Sequence, residues 1–216
     1  MLDVAELTTR RLAALLASGD PVPGGGCAAA VAGAMGAALV GMVARLALRR
    51  AEEEPSAARL EEAARQAERL AEQLLELGSR DAEAYTQVMR AYRLPRGSEA
   101  EKEARSQAIH QALVQAAEVP LQALRAGVRG LELLVGVLPA TPASALPDAG
   151  VAGWMLRACV EGAALNVRAN WQSMRSAPPE GLGRLDDLVA ESRRLFEEVR
   201  RRLGPLANGG VPVPAP

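Results

Sequence analysis

Residues 21–44 read PVPGGGCAAAVAGAMGAALVGMVA, a proline- and glycine-rich turn running into a segment without one charged side chain. By length the segment could cross a bilayer. Its makeup argues otherwise: alanine and glycine dominate, and Leu39 is its only leucine. It therefore reads as the buried central helix of a soluble bundle, over about Cys27 to Arg50, with no membrane partner. Ala29, Gly33, Ala37 and Gly41 recur every fourth residue and form a groove that another helix can approach closely. Such packing would offset the roughly 1 kcal/mol that an interior glycine costs relative to alanine. Helices this long in a small domain would leave the exposed remainder of that groove and the sixth helix for a second copy to cover, so a homodimer is expected.

Outward from this helix the chain reads as helical throughout. Asp3 and Glu6 open a first helix with Val4, Leu7, Leu15 and Leu16 on one stripe, broken at Asp20-Pro21. After the central helix, a long third helix spans about Ser56 to Leu94, stopped by Pro95-Arg96-Gly97. Ser98 with Glu101 forms a capping box for a fourth helix. Pro120 is expected to kink or restart the chain into a fifth. A loop over Pro139–Pro147 precedes a sixth helix, Asp148 to Ser176, and a seventh follows Pro178-Pro179. No strand period occurs, which excludes Rossmann, barrel and sandwich folds. The expectation is an all-α, single-domain bundle of about seven helices over residues 1–205, with a disordered tail at 206–216.

Composition narrows the function classes. A formal charge of −1 leaves no electrostatic footprint for nucleic acid. Cys27 and Cys159 are too few for a disulfide framework or a zinc site, so no metal is expected. The N-terminus lacks the basic-then-apolar layout of a signal peptide, which points to the cytoplasm.

Asp81 is the residue that periodicity singles out. Leu60, Ala67, Leu74, Asp81 and Val88 repeat at seven, so a carboxylate occupies a place meant for an apolar side chain. It must be hydrogen-bonded, paired or protonated. Either an arginine such as Arg45 or Arg125 neutralises it, or its pKa rises and it passes protons. Gly24, Gly25 and Gly26 are either a flexible turn or a set of backbone amides at a helix start, suited to a carboxylate, a phosphate or a polarised carbonyl. Asn166 and Asn170, one turn apart, either bridge helices or read the edge of a heterocycle. Arg49 and Arg50 either complement the dipole of the central helix or bind an anionic substrate. His110 has no second histidine to join it.

With these residues in hand the chain resembles the cyclodeaminase/cyclohydrolase family of folate one-carbon enzymes. The segments that carry the resemblance are PVPGGGCAAAVAGAMGAALVGMVA, DAEAYTQVMRAYRLPR, EKEARSQAI, VPL and DAGVAGWMLRACVEGAALNVRAN, in order over residues 1–205. The resemblance implies an all-helical, usually dimeric fold, with a folate as substrate and no separate cofactor. It implies a catalytic aspartate at Asp81, and folate contacts at Gly24, Gly25, Gly26, Cys27, Arg50, Asp148, Asn166 and Asn170. Serine is usual in relatives where this chain has Cys27 and Pro147, and a Lys-Asp pair is replaced by Gln172-Ser173. The leading expectation is conversion of 5-formiminotetrahydrofolate to 5,10-methenyltetrahydrofolate and ammonia. Methenyltetrahydrofolate cyclohydrolase is the alternative, and a catalytically silent folate-binding or structural dimer is the third.

Overall fold

The computed structural model describes residues 2–174, 184–204 and 206, and these contain six α-helices and no strand. They are α1 (Thr9–Leu16), α2 (Gly25–Leu48), α3 (Glu54–Tyr92), α4 (Glu99–Val137), α5 (Leu146–Ser173) and α6 (Leu185–Leu203), with two 3-10 turns between α4 and α5. α2 lies at the centre, packed on α3, α4 and α5. Its small side chains let the neighbours close in, and the leucines of those neighbours fill the volume: Leu74, Leu124, Leu131 and Leu156 are all fully buried. The apolar stretch is thus a core helix, with 67% of its most apolar window buried inside the chain.

The groove on α2 is filled from within the subunit. A methyl group added at Gly33 would lie 2.6 Å from Cys159 Sγ, and one at Gly36 would lie 2.9 Å from Leu156 Cγ. Ala29 meets Gly162 in the same way. Numbers rise along α2 as they fall along α5, so the two helices are antiparallel. Gly41 faces Ala67 of α3. α3 and α5 thus fill the glycine positions of the groove, so what is left for a second copy is the outer side of α2 and of α5, where Met35, Met42, Val151 and Leu165 are exposed.

Three boundaries differ from the sequence reading. Thr8, not Asp3, caps the first helix: its side chain accepts from Arg11 N, while Asp3 accepts only from Ala5 N. Val4 lies ahead of that helix in the core, with its N–H on Ser79 Oγ at 2.9 Å. Gly25 and Gly26 belong to the first turn of α2 with Gly24 as its N-cap, so the glycine run is a helix start and not a separate turn. Last, the expected fourth and fifth helices are one. The capping box at Ser98 and Glu101 forms as expected, and α4 then runs unbroken through Pro120. The seam between the expected sixth and seventh helices, and all of the expected tail except residue 206, lie outside the described residues.

The continuity of α4 has a specific cause. A proline inside a helix removes the N–H that would bond the carbonyl four residues earlier, at a cost of about 3 kcal/mol. Here that carbonyl is Ala116 O, and Asn170 Nδ2 from α5 donates to it at 2.7 Å. The side-chain amide replaces the missing backbone donor and ties α5 to α4. Asn170→Ala should therefore lower unfolding free energy by about 1–3 kcal/mol, the cost of orphaning a buried acceptor. In a Pro120→Ala background the restored N–H can serve Ala116 O, and the same substitution should cost under about 1 kcal/mol. Urea unfolding of the four proteins in the cycle checks this; equal costs in both backgrounds would contradict it.

Candidate active site

α3 delivers Asp81 to the N-terminal end of α2. The carboxylate occupies the space where Gly26 has no side chain: a Cβ built there would lie 2.3 Å from Oδ1 and 2.6 Å from Cγ. In that position the backbone N–H of Cys27, in the first turn of α2, lies near enough to favour the charged form of the carboxylate. The helix dipole and this N–H favour the charged form, while burial disfavours it. Burial is the larger effect and holds the Asp81 carboxyl above the ordinary aspartate range, with the Cys27 N–H partly opposing it.

No cation neutralises Asp81 among the described residues. Arg45 is ion-paired with Glu68, and Arg125 is exposed on α4. The reading of Asp81 as half of a structural ion pair therefore fails. What remains is a carboxyl group of raised pKa at the wall of a cavity of about 370 Å³. Gly24, Gly25, Gly26, Asn166 and Asn170 line the same cavity. A Cβ on Gly25 would lie 4.0 Å from Asn166 Nδ2, so the glycine turn and α5 face each other across it. Asn166 Nδ2 donates to Gly162 O at 2.9 Å and Asn170 Nδ2 to Ala116 O. Both amides are thereby held by their nitrogens, which leaves each Oδ1 as an acceptor. Such a cavity can grip a ligand with N–H edges and move a proton at Asp81. A larger open groove of about 790 Å³ lies between α3 and α4 and is lined by charges of both signs, Arg80 and Arg90 with Glu83 and Glu118.

The structure does not gather every expected residue. Cys27 contributes its backbone N–H only; its side chain is fully buried beside Val4 and Val31. Burial, then the charge on Asp81, pushes its thiol up to about 11, so it is an inert neutral group. Arg50 follows the far end of α2 and lines a shallow groove with Glu52, Glu53 and Ser56. It is about 36 Å from Gly26 along the helix at 1.5 Å per residue. Asp148 stands in the first turn of α5, roughly 27 Å along that helix from Asn166. Within one subunit neither residue reaches Asp81. Tyr85 and Tyr92 line the cavity and were missed. Their signal was available: they are the only tyrosines, and they share a stripe of α3 with Asp81.

Comparison with known proteins agrees with this geometry. Residues 8–178 match the family described as formiminotransferase-cyclodeaminase. A methenyltetrahydrofolate cyclohydrolase of Methylorubrum extorquens is 37% identical over 194 residues, which cover 87% of this chain and 93% of that protein. The crystal structure of a formiminotetrahydrofolate cyclodeaminase from Thermotoga maritima superposes with a TM-score of 0.82 at 25% identity, over 94% of this chain and 98% of that one.

Gly26→Ala tests the seating of the carboxylate. The new methyl group would collide with a side-chain end that can rotate away, so the fold should survive and Asp81 should move. Turnover of the substrates those relatives are named for should fall on the order of a hundred-fold, as misplacement by about 1 Å commonly costs. Thermal melts should shift little. Undiminished turnover would show that Asp81 does not act from the Gly26 notch.

Proposed function

Because the chain belongs to the formiminotransferase-cyclodeaminase family, a family of folate one-carbon enzymes, we propose that Asp81 is its proton-transfer group and that its reaction is the hydrolysis of 5,10-methenyltetrahydrofolate. The observation that carries the role of Asp81 is its placement, a carboxyl of raised pKa with no cationic partner among the described residues, at a cavity wall. The 37% identity to a cyclohydrolase favours the methenyl substrate. The sequence alone ranked the formimino substrate first.

In this reading water adds to the methenyl carbon and gives one proton to the Asp81 carboxylate. The adduct, held by N5, N10 and the new hydroxyl, then loses the hydroxyl proton as its bond to N5 breaks. N5 takes a proton from the Asp81 carboxyl, and the product is 10-formyltetrahydrofolate with one proton released. The methenyl substrate is a cation, and a carboxylate without a guanidinium partner is free to offset that charge. The oxygens of Asn166 and Asn170 accept from the pterin N–H groups, and the amides opening α2 face the polarised end of the ligand.

The likeness to the Thermotoga cyclodeaminase supports a second reaction in the same cavity. There N10 would attack the carbon of the protonated formimino group of 5-formiminotetrahydrofolate and pass its proton to Asp81. Asp81 would return that proton to the nitrogen leaving as ammonia, giving the methenyl product. Neither reaction changes an oxidation state, so the proposal includes no redox cofactor.

We also propose that the working unit is a homodimer in the cytoplasm. Met35 and Met42 of α2 and Val151 and Leu165 of α5 are exposed on adjacent antiparallel helices, an apolar face suited to a second copy. A site role for Arg50 and Asp148 would require that second copy, since both lie at the end of the bundle away from Asp81.

Decay of the methenyl chromophore with added enzyme tests hydrolysis, and its appearance from 5-formiminotetrahydrofolate tests the second reaction. Asp81→Asn should lower turnover roughly a hundred- to ten-thousand-fold, in protein whose light scattering gives the mass of two chains. The stability sign follows from the raised pKa. Stability from protonated Asp81 is complete below the unfolded-chain value and is lost as pH rises through the folded one. The melting temperature of Asp81→Asn relative to wild type should therefore increase between pH 4 and pH 7. Retained turnover, or a variant that melts lower at pH 7 than at pH 4 relative to wild type, would contradict the assignment.

A further inference from the structure

The wall that α3 gives to the Asp81 cavity continues past the carboxylate. Asp81, Tyr85, Met89 and Tyr92 follow one another at helical spacing, and all four line the cavity. Asp81 and Tyr85 are one turn apart, which makes their Cβ atoms neighbours on the helix surface. Side chains of an α-helix lean toward its N-terminus, so the Tyr85 ring is inclined toward the turn that carries Asp81. The ring is 38% exposed and takes part in none of the apolar clusters formed by the described residues. A bulky aromatic side chain is thus spent on the cavity and not on the core.

The polar groups around it share one sign of potential. Among the described residues Asp81 is the only charged side chain that lines the cavity. Asn166 and Asn170 offer their Oδ1 atoms, because their nitrogens are engaged by Gly162 O and Ala116 O. The face of an aromatic ring is also negative, and it attracts a cation that lies within about 6 Å of its centre. The positive end of α2 is met by the Asp81 carboxylate itself, seated at Gly26. A carboxylate, two amide oxygens and a ring face together suit a flat organic cation. Tyr92 is less available for this task, since the Arg105 guanidinium lies 5.8 Å from its ring centre.

The substrates of both reactions considered above carry such a cation. In 5,10-methenyltetrahydrofolate the charge is shared by N5, the methenyl carbon and N10. In protonated 5-formiminotetrahydrofolate it is shared by the formimino carbon and the two nitrogens bound to it. A formyl group in the same place is neutral.

We propose that Tyr85 is a specificity-determining residue of this site, whose ring face holds the delocalised N–C–N cation of the substrate and selects the charged one-carbon unit over a neutral formyl group. This rests on the folate reading made above and deepens it. In hydrolysis the charge is lost when water adds, so the attraction of the ring serves binding and not the chemical step. The neutral formyl product has no such hold on the ring.

The test uses the full-length protein and two constants: the KM of the substrate it turns over, methenyl or formimino, and the inhibition constant of 5-formyltetrahydrofolate, a neutral analogue that does not react. Tyr85→Leu keeps an apolar side chain and removes the ring. The ratio of KM to the inhibition constant should rise by roughly three- to thirty-fold, the range of a cation–π contact, with the loss in KM and not in kcat. Tyr85→Met, a second variant without a ring, should behave alike and guards against a local disturbance of α3 by leucine. Tyr85→Phe keeps the ring and should bring the ratio back to within about two-fold of wild type. A rise under about three-fold in both ringless variants would make Tyr85 a plain apolar wall and overturn the proposal, with the folate assignment still standing. A Tyr85→Phe variant as impaired as Tyr85→Leu would assign the effect to the hydroxyl and overturn it equally. Wild type that turns over neither substrate and does not bind 5-formyltetrahydrofolate would overturn the folate assignment, and the role of Tyr85 with it.

Discussion

The site depends on a carboxylate fitted where a side chain is missing. Gly26 has no Cβ, the Asp81 carboxylate fills that notch, and the Cys27 N–H at the start of α2 favours its charged form against burial. Three requirements meet in this contact. The carboxylate must seat against the N-terminal turn of α2, from which a side chain at position 26 would displace it. The carboxylate must be buried enough to bind its proton more tightly than in water, yet stay at a cavity wall. It must also lack a cationic partner, or its pKa would fall and its proton affinity with it. A group so placed can take a proton and return it, which both family reactions need.

The rest of the bundle holds that contact in register. α2 offers alanine and glycine so that α5 can run antiparallel against it, with Gly33 under Cys159 and Gly162 over Ala29. This packing sets how far Asn166 and Asn170 project toward the glycine turn. Asn170 has a second task, since its nitrogen replaces the donor that Pro120 removes from α4. The cost of a proline inside a helix becomes a means of fixing one amide with its oxygen free. Structural and ligand-binding roles, posed as alternatives for the asparagines, are compatible because an amide has two ends.

How much of this was legible in the sequence varies with the physics behind each residue. Asp81 stood out because a carboxylate breaks an apolar seven-residue repeat, and its placement follows. The central position of α2 was equally plain, since a helix apolar on every side has nowhere else to go. That Arg50 and Asp148 do not meet Asp81 within one subunit was not legible, because a motif carries no record of which end of an antiparallel pair it occupies. Only the pairing of α2 with α5 shows that both stand at the far end. Cys27 was counted as a ligand-facing side chain, yet at the helix start its backbone faces Asp81 and its thiol faces the core. Pro120 was read as a break because its missing bond is local, whereas the donor that replaces it lies 54 residues away.

The account turns on the proton affinity of one carboxyl group. Its most direct test is a carbon-13 NMR titration of aspartate side-chain carboxyls in the ligand-free protein, with the Asp81 resonance identified by its absence from Asp81→Asn. The account predicts a midpoint for Asp81 clearly above the ordinary aspartate range. A midpoint at or below that range would mean that the N-terminus of α2 outweighs burial, and would contradict the assignment of Asp81 as the proton-transfer group.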